Sequence, residues 1–135
     1  MAELIIMPDA EAVLVSYFNA QLPSTAFPTV KAHTKVPATR PERFFKFVAV
    51  GGFDSTLVTA VPRVVMETYA PTEASAVQMQ ALGLALLGAA ALDGSMGATT
   101  VHSLSVVSRP QNLPDPNVTT SARYSSTFEL HMRAA

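Results

Sequence analysis

ARYSSTFELHMR, residues 122–133, is the stretch on which the reading of the fold turns. Successive side chains of a strand point to opposite faces. Tyr124, Phe128, Leu130 and Met132 therefore fall on one side, and Arg123, Thr127, Glu129, His131 and Arg133 on the other. A strand with one apolar and one polar face suits an antiparallel sheet, because parallel strands are covered on both faces and read as continuous apolar runs. The same alternation marks residues 30–36, where Val30, Ala32, Thr34 and Val36 interleave with Lys31, His33 and Lys35. It recurs from Val101 to Ser108, where His102, Leu104 and Val106 interleave with Ser103, Ser105 and Val107. Aromatic and β-branched residues predict two further strands, Arg43 to Val50 and Arg63 to Ala70. Gly51 and Gly52, followed by Asp54 and Ser55, are expected to break the chain between them.

Two segments carry the helical period instead. Asp9 precedes a run in which Ala10, Val13, Leu14, Tyr17 and Phe18 recur at helical spacing, with Glu11 near the amino end. Residues 9–21 are read as the first helix. Thr72 is the expected N-cap of the second, with Glu73 in its first turn, good helix formers to Leu92, and Asp93 and Gly94 ending it. From Ala81 to Leu92 this helix is apolar all round, which predicts burial, and Gly83 and Gly88 would admit the close approach of another backbone. It also falls short of the roughly 20 unbroken apolar residues that span a bilayer, so no membrane role is expected. Residues 1–10 lack the basic and apolar regions of a secretory signal.

The order helix, three strands, helix, two strands predicts one α+β domain over residues 1–135. Its expected core is a mostly antiparallel sheet of four to five strands with two helices packed on one face. The 135 residues suffice for a single core and leave no room for a second domain. With 49% hydrophobic and only 14% charged residues, the chain has few charges to cover its surface, where soluble domains carry about 25%. Part of that surface is therefore expected to be hidden in contacts with other copies or partners. A formal net charge of -1, with only Lys31, Lys35, Arg40, Arg43 and Lys46 forming a mildly basic group, argues against specific nucleic-acid binding.

Chemistry-bearing motifs are sparse. The chain has no cysteine, which excludes disulfides, thiol catalysis and thiolate metal sites. His33, His102 and His131 lie in separate strands with no local metal-ligand spacing. The Gly94–Gly97 segment misses a nucleophile elbow and reads as a connector, and the scattered carboxylates form no acid-base pair. Glu67, among apolar neighbours, is read as satisfied or outward-facing. No catalytic, cofactor-binding or metal-binding residue is predicted, and no enzyme activity is expected.

Two proline-rich segments remain. TKVPATRPERF contains Pro37 and Pro41, and RPQNLPDPNVTTS contains Pro110, Pro114 and Pro116. Fixed φ angles make both semi-rigid arms, and the second is long for a compact domain unless it makes a contact. Taken with LVSYFNAQL, LVTAVPRVVMETYA and ARYSSTFELHMR, these segments resemble the small tail terminator proteins of siphophages that infect actinobacteria, over about Ala10 to Arg133. The most characteristic positions are Val36, Pro37, Arg40, Pro41 and Phe44, then Arg109, Pro110, Pro114, Asp115, Pro116, Arg123 and Tyr124. The chain departs from the pattern just before the paired glycines, where arginines are frequent in such proteins and this sequence has Lys46, Val48, Ala49 and Val50.

The resemblance implies a hexameric ring, located in the virion tail and neck and assembled in the host cytoplasm. Such a ring caps the head-proximal end of the tail tube, stops tube growth and joins the head-completion or stopper protein. Its partners would be identical copies, the major tail tube protein and that neck protein. DNA can traverse such a ring without being bound specifically. Candidate interface residues are Lys35, Pro37, Arg40, Pro41, Phe44, Gly83, Gly88, Arg109, Pro110, Pro114, Asp115, Pro116, Arg123 and Tyr124. The alternatives are another neck component, such as a head-closure or adaptor protein, and a small-molecule enzyme or binding module, which would need a deep polar pocket.

Overall fold

A computed structural model describes residues 2–134. The chain forms α1 (Ala10–Gln21), a short 3-10 turn (Leu22–Ser24), β1 (Lys31–His33), β2 (Phe44–Asp54), β3 (Thr59–Ala70), α2 (Glu73–Asp93), β4 (Ser95–Met96), β5 (Thr99–Asn112) and β6 (Ala122–Arg133). The strands make one six-stranded sheet in the order β1-β2-β3-β6-β5-β4. This exceeds the four to five strands expected. The sheet is mixed, because β1 runs parallel to β2 with Lys31 opposite Phe44 and His33 opposite Lys46. The other four pairings are antiparallel.

Both helices start where their caps predict. The Asp9 carboxylate accepts the Ala12 N–H at 3.2 Å, and the Thr72 hydroxyl accepts the Ser75 N–H at 3.2 Å. Each satisfies an amide that the helix itself leaves unpaired. Leu14 and Phe18 of α1 and Met79 and Leu87 of α2 then share one core with Phe45 and Phe47 of β2, Val64 and Met66 of β3, and Phe128 and Leu130 of β6. Phe18 is the centre of this packing, edge-on to Phe45 at 5.2 Å and to Phe47 at 4.7 Å between ring centroids. Edge-to-face contacts of this kind add to the roughly 2–3 kcal/mol that full burial of such a side chain contributes.

Gln80 fastens α2 to the sheet. Fully buried, it donates from Nε2 to the carbonyls of Met66 at 2.9 Å and Tyr124 at 3.0 Å, and its Oε1 accepts the Ser126 hydroxyl at 2.7 Å. A buried amide is tolerated because its hydrogen-bonding capacity is met.

Several local expectations are corrected. Gly51 and Gly52 do not end β2. With φ of 99° and 119°, they form a bulge within it, and the turn falls later, at 55–58. A side chain at Gly52 would strike the backbone of Val61 to Arg63, so only glycine lets the two strands stay paired there. Residues 109–112, read as the start of a proline arm, are the end of β5, which leaves 113–121 as the loop. The first strand is three residues long rather than seven. Gly94 to Gly97 is the site of β4, a two-residue strand paired to Thr99 and Thr100. The second helix is not buried all round, since Ala81, Ala85, Ala89 and Leu92 face outward. By length and composition α2 could cross a membrane, yet its inner face belongs to the core.

Candidate assembly surfaces

The face of the sheet away from the helices is covered at the Ala70 end of β3 by the two proline-bearing loops, and polar residues hold them there. Phe44 stacks on Tyr69 with ring centroids 4.5 Å apart, and Val118 and Val36 complete a small second core. Beside it, Glu67 is only 6% exposed, accepts a hydrogen bond from Arg123 and is ion-paired with Lys46. Arg123 Nη1 lies 3.1 Å from one carboxylate oxygen and Lys46 Nζ 3.4 Å from the other. The register places Lys46 opposite Glu67 across β2 and β3, and brings Arg123 opposite Tyr69 across β3 and β6. A carboxylate removed from water is stable only with such partners.

This cluster also captures the second loop. Arg123 Nε donates to the Leu113 carbonyl at 2.6 Å, and the Tyr69 hydroxyl donates to Asp115 at 3.1 Å. Asp115 also accepts the Asn117 N–H at 2.9 Å, a turn in which an aspartate side chain replaces a backbone acceptor. That bond, the Tyr69 hydroxyl and the Arg123 guanidinium hold the Asp115 carboxyl below its ordinary pKa. Burial, chiefly, and the charge of Glu67 push the Tyr69 phenol up to about 12. Arg40 links the loops by donating to the Thr120 hydroxyl at 2.9 Å.

The candidate residues therefore separate into two groups. Phe44 is fully buried in the protomer, and Asp115 and Arg123 are engaged in fixing loop 113–121. Tyr124 is half-buried against the helix-side core. Gly83 is buried against Met66 and Phe45, whereas Gly88 has no neighbour within 4 Å of where a Cβ would stand. Lys35, Arg40, Pro41, Arg109, Pro114 and Pro116 are exposed, and Pro37 and Pro110 are half-buried.

Sequence reasoning did not find Lys46, Tyr69, Val118 or Gln80 as organising residues. Only the register shows that the odd-numbered residues of β3 face those of β6. It also passed over three of the most exposed apolar residues, which rank with Leu92 at the end of α2, 92% exposed. Leu4 and Ile6, in the extended arm before α1, are 88% and 78% exposed, and Leu57 at the β2–β3 tip is 85% exposed. The run Leu4-Ile5-Ile6, ahead of Pro8 and outside any periodic segment, was the available signal.

Among the described residues, no group of three or more His, Asp or Glu is placed to hold a metal ion. Concavities of about 360 Å³ between α1 and residues 96–99 and of about 330 Å³ around Ile6, Val13 and Thr100 are accompanied by two more open ones. One of about 390 Å³ lies between Pro8 and the Gly51–Asp54 segment, and one of about 440 Å³ lies between residues 26–30 and the start of α2.

Fold and surfaces together define an α+β protein whose sheet is backed by helices on one face and covered by loops at one end of the other. Of its exposed apolar residues, Ile6 borders a concavity of about 330 Å³ with Pro8, Val13 and Thr99, and Leu57 and Leu92 stand on the surface. The same fold occurs in a solved chain of the virion of a native gene transfer agent particle, with a TM-score of 0.63, 16% identity, and coverage of 91% of this chain and 93% of that one. No protein-family model matches the sequence, and none of the curated proteins does.

Proposed function

We propose that this protein is a structural component of a phage-type virion, and specifically a tail terminator. In this role a ring of identical copies, hexameric by resemblance, caps the head-proximal end of the tail tube and presents its other side to the neck. The observation that carries this reading is the likeness in fold, over nearly the whole of both chains, to a chain of the gene transfer agent virion. The sequence resemblance to siphophage terminators narrows it to the tail end.

The physics of the role suits the surfaces described. A stack of rings joined through unlike faces keeps an open end and continues to grow. Ending it takes a cap that fits the last ring on one side and rejects a further ring on the other, which needs two different surfaces and no reactive side chain. The exposed Leu4, Ile6, Leu57 and Leu92 are then contact residues that lie bare only in the isolated protomer.

Polymerising the cognate tail tube protein with and without this chain tests the proposal. Tubes should stop growing when it is added, and electron micrographs should show one ring at a single end. If tube length were unchanged while the chain bound the portal side, the protein would be a head-closure or adaptor component. Turnover of a small molecule by a monomeric chain would defeat both structural readings.

A further inference from the structure

We propose that copies of this chain join through unlike ends: the β2–β3 tip and amino-terminal arm of one copy seat on the two proline loops of the next. The inference rests on the ring-forming role above and specifies the junction from which such a ring would be built.

The two ends are set by the strand directions. β3 runs from the tip, at Thr59, to Ala70, beside which loops 34–43 and 113–121 are held. The turn at 55–58 and the outer edge of β2 are left open at this end, because β6 pairs with β3 as far as Thr59 and Val58 while β1 covers β2 only as far as Lys46. The arm crosses the same end of the sheet, with Pro8 beside Gly51 to Asp54 and Ile6 near Thr100 and Arg133.

Their chemistry is complementary. The tip end combines bare apolar side chains, Phe53 and Leu57 on the hairpin and Leu4 and Ile6 on the arm, with the carboxylates of Glu3, Asp9 and Asp54 against the exposed Arg133 and against Arg63, whose charge Glu129 meets at 3.0 Å. The loop end combines the exposed rings of Pro41, Pro114 and Pro116 with Lys31, Lys35, Arg40 and Arg109, against Glu42 and Glu73. Proline rings offer apolar surface with no amide donor to satisfy. Loops already fixed by Arg40, Asp115 and Arg123 lose little entropy when covered. Two tips meeting each other would oppose carboxylate to carboxylate, and two loop ends would oppose cation to cation. Tip on loop is the pairing in which both the apolar and the charged parts match. Such a contact is heterologous, so successive copies close into a ring when the rotation between them allows.

Sedimentation velocity of the full chain and two double variants tests this. Phe53→Ser with Leu57→Ser spoils the tip, and Lys35→Glu with Arg40→Glu spoils the loop end. Circular dichroism and thermal unfolding identify any variant that fails to fold, and Asp54→Arg then serves for the tip and Arg109→Glu for the loops. Wild type should sediment as a closed multimer and each variant as a monomer of 14.3 kDa. The mixture of the two should give a dimer and nothing larger, because a single intact tip meets a single intact loop end. A loop variant that still self-associates, a tip variant that still forms rings, or a mixture that stays monomeric would overturn the junction. Rings that persist in both variants would sink this inference and leave the terminator reading intact. Rings built through this junction that fail to arrest tube growth would do the reverse.

Discussion

On the helix side of the sheet, Phe47, Met66 and Phe128 meet Leu14, Phe18 and Leu87 with no charged group among them. On the other face of the same three strands, β2, β3 and β6, Lys46, Glu67 and Arg123 are gathered beside Asp115, Tyr69 and Phe44. The first face is held by apolar area, which is undirected and forgiving of small shifts. The second is held by bonds of fixed partner and geometry, which place loop 113–121 at one position and fail if one member is lost. That difference suits a protein whose helices need only to pack and whose loops need to be presented. It also ranks the substitutions that probe it.

The largest effect is expected at Glu67. Glu67→Gln leaves Lys46 and Arg123 together with only Asp115, 3.9 Å from Arg123, as a counter-charge, and breaking a buried pair costs about 3–5 kcal/mol. Their side chains remain 23% and 22% exposed, so solvent screens part of the loss, and roughly 2–3 kcal/mol is expected in urea unfolding. A loss below about 1 kcal/mol would mean that the cluster orders the loop without stabilising the protomer.

Smaller, and graded with pH, is the contribution of Asp115 and Tyr69. The folded pKa of Asp115 is depressed, so its stabilisation is complete above the ordinary carboxylate range and disappears as pH falls through the lower folded value. Tyr69 is raised from 10.0 to about 12, so folding favours its neutral form. Its contribution is complete below about 10 and is lost as pH rises towards 12, when a phenolate would form beside Glu67 and Asp115. Urea midpoints at pH 9 and above should fall more steeply for the wild type than for Tyr69→Phe. The raised pKa of Tyr17, whose hydroxyl donates to the Leu86 carbonyl, leaves a residual slope in both. Parallel curves would remove Tyr69 from the alkaline response.

The same contrast decides what was legible in the sequence. The helix-side face follows from periodicity, and both helices with their Asp9 and Thr72 caps, together with the full span of β6, are where that reading places them. The loop-side cluster depends on which residues lie opposite one another. Glu67 meets Lys46 and Arg123 only through register, and no spacing along the chain encodes that. Breaker residues misled for a related reason. Gly51 and Gly52 bulge a strand that the partner backbone keeps paired. Pro110 sits in β5 at a register shift between Ser108 and Gln111, where no ladder amide is required of it. The β1–β2 parallel pair was invisible because three residues carry too little pattern to show a second covered face. Among the candidate assembly residues, exposure separates Lys35, Arg40, Pro41 and Arg109 from Phe44, which the sequence could not distinguish from them.

The smallest expected change lies on α2, where two glycines five residues apart face opposite surroundings. A Cβ at Gly83 would stand 2.7 Å from Met66 Sδ and 3.1 Å from Phe45 Cε1, both in the core. Gly83→Ala gains about 1 kcal/mol of helix propensity but forces that packing apart at about 1–3 kcal/mol, for a net loss of roughly 1 kcal/mol. A Cβ at Gly88 meets nothing within 4 Å, so Gly88→Ala should stabilise the protomer by about 0.5–1 kcal/mol through reduced freedom of the unfolded chain. Measuring both variants as monomers and again in the assembled state separates a packing glycine from a contact glycine. If Gly88→Ala raises the unfolding midpoint of the protomer and leaves assembly unchanged, the outer face of α2 lies away from the junction between copies. If it raises the midpoint and weakens assembly, a neighbouring backbone comes as close to Gly88 from outside as Met66 comes to Gly83 from within.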